Sequence, residues 1–278
     1  MDVGIYMFPT DYAIRSDEWA VEAEQRGFES LWVPEHTHIP ASRRTPFPGG
    51  GDLPEEYSHT LDPFVALAAA AARTETIKLC TGICLIAQRD TIVLAKEVAS
   101  LDLLSNGRFV LGLGGGWNVE EMNHHGVEYD TRFAKLTEQV AALKAIWTQD
   151  EAEYHGEHVD FEPIWSWPKP VQKPHPPIVL GGFTGYTRQR VVDFCDGWMP
   201  IGFSADAILQ GVEDLHRRAD EAGRDRRTIS VSVFGARPER EVLDKYENGG
   251  VDRVVLMVKP EGRDHVMRRL DQYRELVG

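Results

Sequence analysis

Two short runs in this sequence hold residue types suited to chemistry. Glu35-His36-Thr37-His38 puts one carboxyl and two imidazoles within four residues. An imidazole titrates near neutrality and a nearby acid tunes it, so this run suits proton transfer. Gly112-Leu113-Gly114-Gly115-Gly116-Trp117 does something different. Its glycines remove side chains, so backbone N–H groups can approach a flat or anionic ligand. Trp117 can stack on a ring or simply pack. A third run, Gly181-Gly182-Phe183-Thr184-Gly185, precedes an expected helix. Free N–H groups, the helix dipole and the Thr184 hydroxyl suit a phosphate; a tight turn without a ligand is the plainer reading. Arg43, Arg44, Arg188 and Arg237 are candidates for local positive charge. His36-x-His38 resembles half of a metal site, but later strand ends bring no further histidine, so no metal is expected. Glu120 and Glu121 read as a solvated helix start, and His124-His125 as surface.

These runs can meet only if the strands before them end on a common face. Apolar runs predict strands over residues 3–8, 28–33, 77–86, 108–113, 178–180, 197–200, 228–234 and 251–258. Helices are expected over 16–26, 64–73, 91–104, 132–147, 184–194, 204–222, 238–248 and 261–277. Ser16, Asp62-Pro63 and Ser204 are the start signals, and Asn106-Gly107 is a left-handed stop. Eight strand-then-helix units in series predict a (β/α)8 TIM barrel in one domain, residues 1–278. An open doubly wound sheet is the competitor. Its G-x-G-x-x-G fingerprint would need glycine where Trp117 stands. Residues 35–60 and 151–176 interrupt the pattern as long loops, the second with a small hairpin over 154–162. Loops of that length are usually functional.

The chain has 278 residues and a formal net charge of −14. So acidic a surface argues against nucleic-acid or anionic-membrane partners. No apolar run is long enough to span a bilayer, and the first residues read as a strand rather than a secretory signal. Three cysteines, an odd number, fit buried thiols in the reducing cytoplasm.

Several runs taken together resemble the bacterial-luciferase-like superfamily, in its deazaflavin-dependent oxidoreductase branch. They are Gly27-Phe28-Glu29-Ser30-Leu31-Trp32, Glu35-His36-x-His38-Ile39-Pro40, Leu94-Ala95-Lys96-Glu97, residues 79–85, residues 101–117, Tyr154-His155-Gly156, residues 177–182 and Asp196-Gly197-Trp198. The resemblance covers nearly the whole chain in order. It implies a barrel that holds the deazaflavin coenzyme F420, or FMN, at the carboxyl ends of its strands. It also implies a non-proline cis peptide at Gly82–Ile83 against the central ring, Glu35 and His36 beside that ring, and a phosphate turn at Gly181-Gly182. Sugar-phosphate-oxidising relatives carry a glutamate where this chain has Trp117, which argues against that substrate. His38 and Glu35 are then the candidate proton donors. The implied reaction is hydride transfer between the deazaflavin and a small organic substrate. The alternatives are an FMN-dependent monooxygenase and a non-catalytic flavin-binding protein. A homodimer is expected by the same analogy.

Overall fold

A computed structural model describes residues 1–202 and 204–277. Eight parallel strands close into a ring: β1 (Asp2–Tyr6), β2 (Ser30–Val33), β3 (Lys78–Thr81), β4 (Phe109–Leu113), β7 (Ile178–Gly181), β8 (Gly197–Met199), β9 (Ser230–Ala236) and β10 (Arg253–Met257). They follow one another in chain order, and β10 pairs with β1 in register Asp2↔Arg253 to shut the ring. The expected barrel is present, and the open sheet is excluded. β5 (Ala152–His155) and β6 (Asp160–Ile164) form an antiparallel hairpin outside the ring, close to the hairpin expected at 154–162.

The helices around the ring are α1 (Ser16–Gln25), α2 (Glu56–His59), α3 (Pro63–Ala71), α4 (Thr91–Leu104), α5 (Val119–His124), α6 (Arg132–Thr148), α7 (Gly185–Phe194), α8 (Ala205–Glu221), α9 (Arg240–Asn248) and α10 (Arg263–Arg274). Side-chain caps start several of them. Asp62 accepts from Val65 N–H with Pro63 at the first position, and Ser204 accepts from Ala207 N–H. Ser16 does not cap: it is already helical, and its buried Oγ has no partner among the described residues. Asn106 and Gly107 both take positive φ, as a left-handed stop requires.

The ring is filled rather than hollow, as small parallel barrels are. Trp32, Cys80, Val110, Val179, Met199 and Val255 point inward, with Tyr6, Ile83 and Phe234 above them. Trp32 is wholly buried and its indole N–H donates to Ser30 Oγ. Gly4 on the neighbouring β1 and Gly112 on β4 leave it room: a β-carbon there would sit 3.2 Å from its Nε1 and 3.4 Å from its Cζ3. All three cysteines are buried and unbridged. The third strand is shorter than the expected 77–86. It stops at Thr81, and Cys84 rejoins the ring only through a single bridge to Leu113.

At the amino ends of the strands, Glu29 locks three elements together. It accepts from Lys78 Nζ at 2.6 Å and from Arg253 Nε at 2.7 Å. The carboxyl ends form the opposite face, and the residues with chemical potential lie there.

Candidate active site

The floor of this face is built by the exit of β3. The Gly82–Ile83 peptide is cis. Ile83 then reaches across two strands. A β-carbon on Gly114 would lie 1.7 Å from its Cδ1, and one on Gly181 would lie 3.2 Å from its Cγ2. Gly82 makes the same kind of room for Phe234, whose Cε2 would stand 2.7 Å from a β-carbon there. Phe234 stacks on Tyr6 with ring centroids 4.1 Å apart. Ile83, Phe234 and Tyr6, each partly buried, thus give an apolar surface bordered by glycine.

The glycine run also serves packing. A β-carbon on Gly115 would meet Phe133 at 2.7 Å, and one on Gly116 would meet Met122 at 2.6 Å. The missing side chains therefore admit Ile83, Phe133 and Met122, and the Gly114 N–H is taken by the Cys84 carbonyl at 3.1 Å. A glycine in a sequence marks an absent side chain but does not say what fills the gap.

His36, on the loop after β2, forms one wall. Its Nδ1 is 2.8 Å from Glu121 Oε2. The His36 side chain is 6% exposed and that of Glu121 is 1% exposed. Glu121 Oε1 has no partner among the described residues, and His36 Nε2 makes no hydrogen bond to them. Helix α5 aims Glu121 inward. Asn118 caps it, accepting the Glu121 N–H at 3.2 Å, and this sets the helix phase. One helical step of about 100° separates Glu120 from Glu121. Glu120 accordingly faces the loop after β2 and accepts from Thr45 Oγ1 at 2.6 Å. Reading the two acids as one solvated pair fails for both, since the loop covers Glu120 and Glu121 lies deeper still.

The other two members of the first run lie elsewhere. Glu35 turns away from this face. Its Oε2 accepts from Leu85 N–H at 2.6 Å and its Oε1 from Arg89 Nε at 2.7 Å, and Arg89 also holds Asp62 and Glu97. Glu35 fastens the exit of β3, with both oxygens committed. His38 joins an outer chain of imidazoles. Its Nδ1 bonds Thr37 Oγ1 at 2.9 Å, its Nε2 bonds His124 Nδ1 at 2.8 Å, and Thr37 also meets His125 Nε2 at 2.7 Å. Burial, then the neighbouring His38, pushes the His125 imidazole down from its ordinary value. Among the described residues no cluster is suited to a metal ion.

A lid completes the wall. Residues 41–54 are pinned where Glu120 accepts from Thr45 N–H and Oγ1 and pairs with Arg44 at 3.3 Å. Phe47 on the lid, Tyr57 on α2 and Trp117 surround His36. Tyr57 and Trp117 lie 5.2 and 5.7 Å from its ring centroid, and Phe47 lies 6.0 Å from that of Trp117. Burial, then the charge of Glu56, pushes the Tyr57 phenol up to about 12, so it stays neutral in ordinary buffers. Phe47 and Tyr57 are absent from the sequence expectation, because residues 35–60 have no periodic pattern and α2 is a single turn within them.

The third run sits one strand further round. Gly182 takes φ +128°, and its carbonyl accepts from Trp198 Nε1 at 2.8 Å. The Thr184 hydroxyl caps α7 by accepting the Thr187 N–H at 3.1 Å. Two arginines approach the first residue of α7. A β-carbon on Gly185 would lie 3.2 Å from Arg218 Nη2 and 3.9 Å from Arg188 Nη2. Asp214 holds both by their Nε atoms, at 2.9 and 2.6 Å. Neither Nη2 makes a hydrogen bond among the described residues. Arg188 was anticipated here; Arg218, from the neighbouring helix, was not.

Comparison with known proteins decides the family. The model of the luciferase-like monooxygenases matches residues 11–274. This chain belongs to that family. It is an enzyme of the luciferase-like class, and it shares 39% identity over 270 residues with an uncharacterised protein of Mycobacterium tuberculosis, covering 95% of this chain and 94% of that one. An FMNH2-dependent dimethylsulfone monooxygenase of Pseudomonas putida is 32% identical over 169 residues, 60% of this chain and 46% of that one. An F420-dependent glucose-6-phosphate dehydrogenase of Amycolatopsis mediterranei is 26% identical over 237 residues, 82% of this chain and 67% of that one. Among solved structures, the monooxygenase RslO1 from Streptomyces bottropensis superposes with a TM-score of 0.79 at 20% identity, over 99% of this chain and 98% of that one. The coenzyme F420-dependent tetrahydromethanopterin reductase from Methanopyrus kandleri gives 0.77 at 16%, with the same coverage. These two likenesses support the shared fold. No helix among the described residues is long and apolar enough to cross a membrane.

Proposed function

We propose that this luciferase-like enzyme binds the deazaflavin coenzyme F420 and oxidises or reduces a small organic substrate by hydride transfer. The observation that carries this reading is one buried imidazole, His36, at the edge of an apolar floor. When bound, the deazaflavin supplies the hydride acceptor or donor. The residues fit such a group. Ile83, Phe234 and Tyr6 offer an apolar bed bordered by Gly82, Gly114 and Gly181. Arg188, Arg218 and the start of α7 at Gly185 offer a cationic seat for its phosphate. That seat gives an otherwise acidic surface the local positive charge an anionic cofactor needs.

Oxidising an alcohol releases one proton with each hydride, so the site needs a base. His36 Nε2 is the free atom for that proton, since Nδ1 is occupied by Glu121. Trp117, Tyr57 and Phe47 keep water from the imidazole and give the substrate an apolar lodging. Trp117 brings no carboxyl, so a sugar phosphate is disfavoured as substrate. Buried, unbridged cysteines support a cytoplasmic location. Exposed Leu104, Val65 and Trp167 give a homodimer apolar surface to cover.

One observation favours a second reading. The dimethylsulfone monooxygenase is the more identical of the two cofactor-named relatives, although over a shorter span. FMN with oxygen as co-substrate is therefore the alternative. Fluorescence titration of the purified protein separates the two. Submicromolar F420 binding with weak FMN binding is expected; tight FMN binding with no F420 binding reverses the assignment.

A further inference from the structure

We infer that Glu121 is the positioning residue of this site. Its buried carboxylate accepts the His36 Nδ1–H, fixes the imidazole in that tautomer and presents the Nε2 lone pair to the substrate. The word substrate rests on the function proposed above; the tautomer does not.

The inference starts from an unusual placement. Glu121 has no exposed surface, while Glu120 beside it reaches the lid. A buried carboxylate is costly unless it is paired and hydrogen-bonded. Helix α5 already has Met122, also wholly buried, to fill the space beneath it. Packing alone would be served better by an apolar residue at 121. The carboxylate has one side-chain partner, His36 Nδ1, and its second oxygen has none among the described residues. An anion with a single hydrogen bond holds that bond strongly in a low-dielectric setting.

The groups around the pair leave Glu121 no other role. Glu35 is committed to Leu85 N–H and Arg89, on the far side of His36. Glu120 is committed to Thr45 and Arg44. His125, one turn along α5, gives its Nε2 to Thr37. Tyr57 and Trp117 bring ring edges and faces to His36. No cation among the described residues pairs with Glu121, so its charge is directed at the imidazole alone. When Nε2 takes a proton from a substrate hydroxyl, the ring becomes a cation and the carboxylate stabilises it. The transferred proton rests on His36, and Glu121 only accepts its hydrogen bond. In the reverse direction His36 returns that proton to the carbonyl oxygen as it is reduced.

Nitrogen-15 spectra of the histidine rings in the cofactor-free protein read the tautomer directly. The wild type is expected to show His36 protonated at Nδ1 and bare at Nε2. In Glu121→Gln the carboxamide can accept or donate, so a mixture of the two tautomers is expected. Turnover should fall about 10- to 100-fold in kcat, with KM and cofactor affinity within about twofold. Glu121→Asp should recover part of the kcat and the single tautomer. A wild-type spectrum with the proton on Nε2 overturns the inference, as does a Glu121→Gln enzyme with unchanged tautomer and kcat. If Glu121→Gln does not fold, the wild-type spectrum and Glu121→Asp still decide. If the wild type binds neither F420 nor FMN, the proposed function fails while the tautomer result stands.

Discussion

Replacing His38 with alanine should leave turnover within about twofold, even though its sequence neighbourhood suggests chemistry. Both of its ring nitrogens are spent on Thr37 and His124, and steady-state assay of the variant checks this. Gly114 should prove far less tolerant. Its added methyl group would overlap Ile83 Cδ1, and overpacking of this kind costs about 1–3 kcal/mol. Ile83→Val, which removes that atom, should rescue much of the loss. Urea unfolding of the two single variants and the double variant measures the coupling, and additivity would refute the contact. The sequence discloses the residue types at both places. Glu35, His36 and the glycine run can be picked out by eye. What cannot be read is direction. Glu35 and His36 are adjacent, yet one faces the mouth and the other ties down β3. Glu121 looks like half of a solvated pair until the Asn118 cap fixes the phase of α5.

At the scale of elements, periodic segments declared themselves and aperiodic ones did not. A short apolar run between turn residues is enough to announce a barrel strand. Residues 35–60 have no such rhythm, so Phe47 and Tyr57 could not be assigned to the mouth in advance. The exit of β3 failed for a different reason. Residues 82–86 are as apolar as a strand, but the chain turns at the cis peptide to lay Ile83 across the floor. The lid hangs on Glu120, which binds Thr45 twice and Arg44 once. Glu120→Ala should therefore loosen residues 41–54 and make the chain after Arg43 and Arg44 easier for trypsin to cut. A several-fold faster nick there, with the melting temperature little changed, is the expected result of a limited-digestion time course. An unchanged digestion rate would show that the lid is held by its aromatic contacts alone.

For the whole molecule, closure of the ring places its stability lock and its chemistry at opposite ends. Burial raises the Glu29 carboxyl, but Arg253 and then Lys78 outweigh it and bring it down to about 2, from an ordinary 4.5. A carboxyl depressed in the folded state stabilises the fold fully above its unfolded value. That contribution, about 3 kcal/mol at neutral pH, is lost as pH falls from about 4.5 toward 2. Chemical denaturation across this range should show a drop that is smaller in Glu29→Gln, which starts from the lower level. Order along the chain made this architecture legible, because eight repeats of strand and helix have few other ways to close. The ion triad was not legible, since Glu29, Lys78 and Arg253 lie far apart in sequence.

That triad has a practical corollary. It belts the base of the cylinder, beneath the packed layer that contains Trp32 and Val255, and it touches none of the groups around His36. Heat tolerance and reactivity are therefore separately adjustable. A protein engineer can retune Lys78 and its neighbours for durability while selecting freely among lid residues for a new molecule to transform.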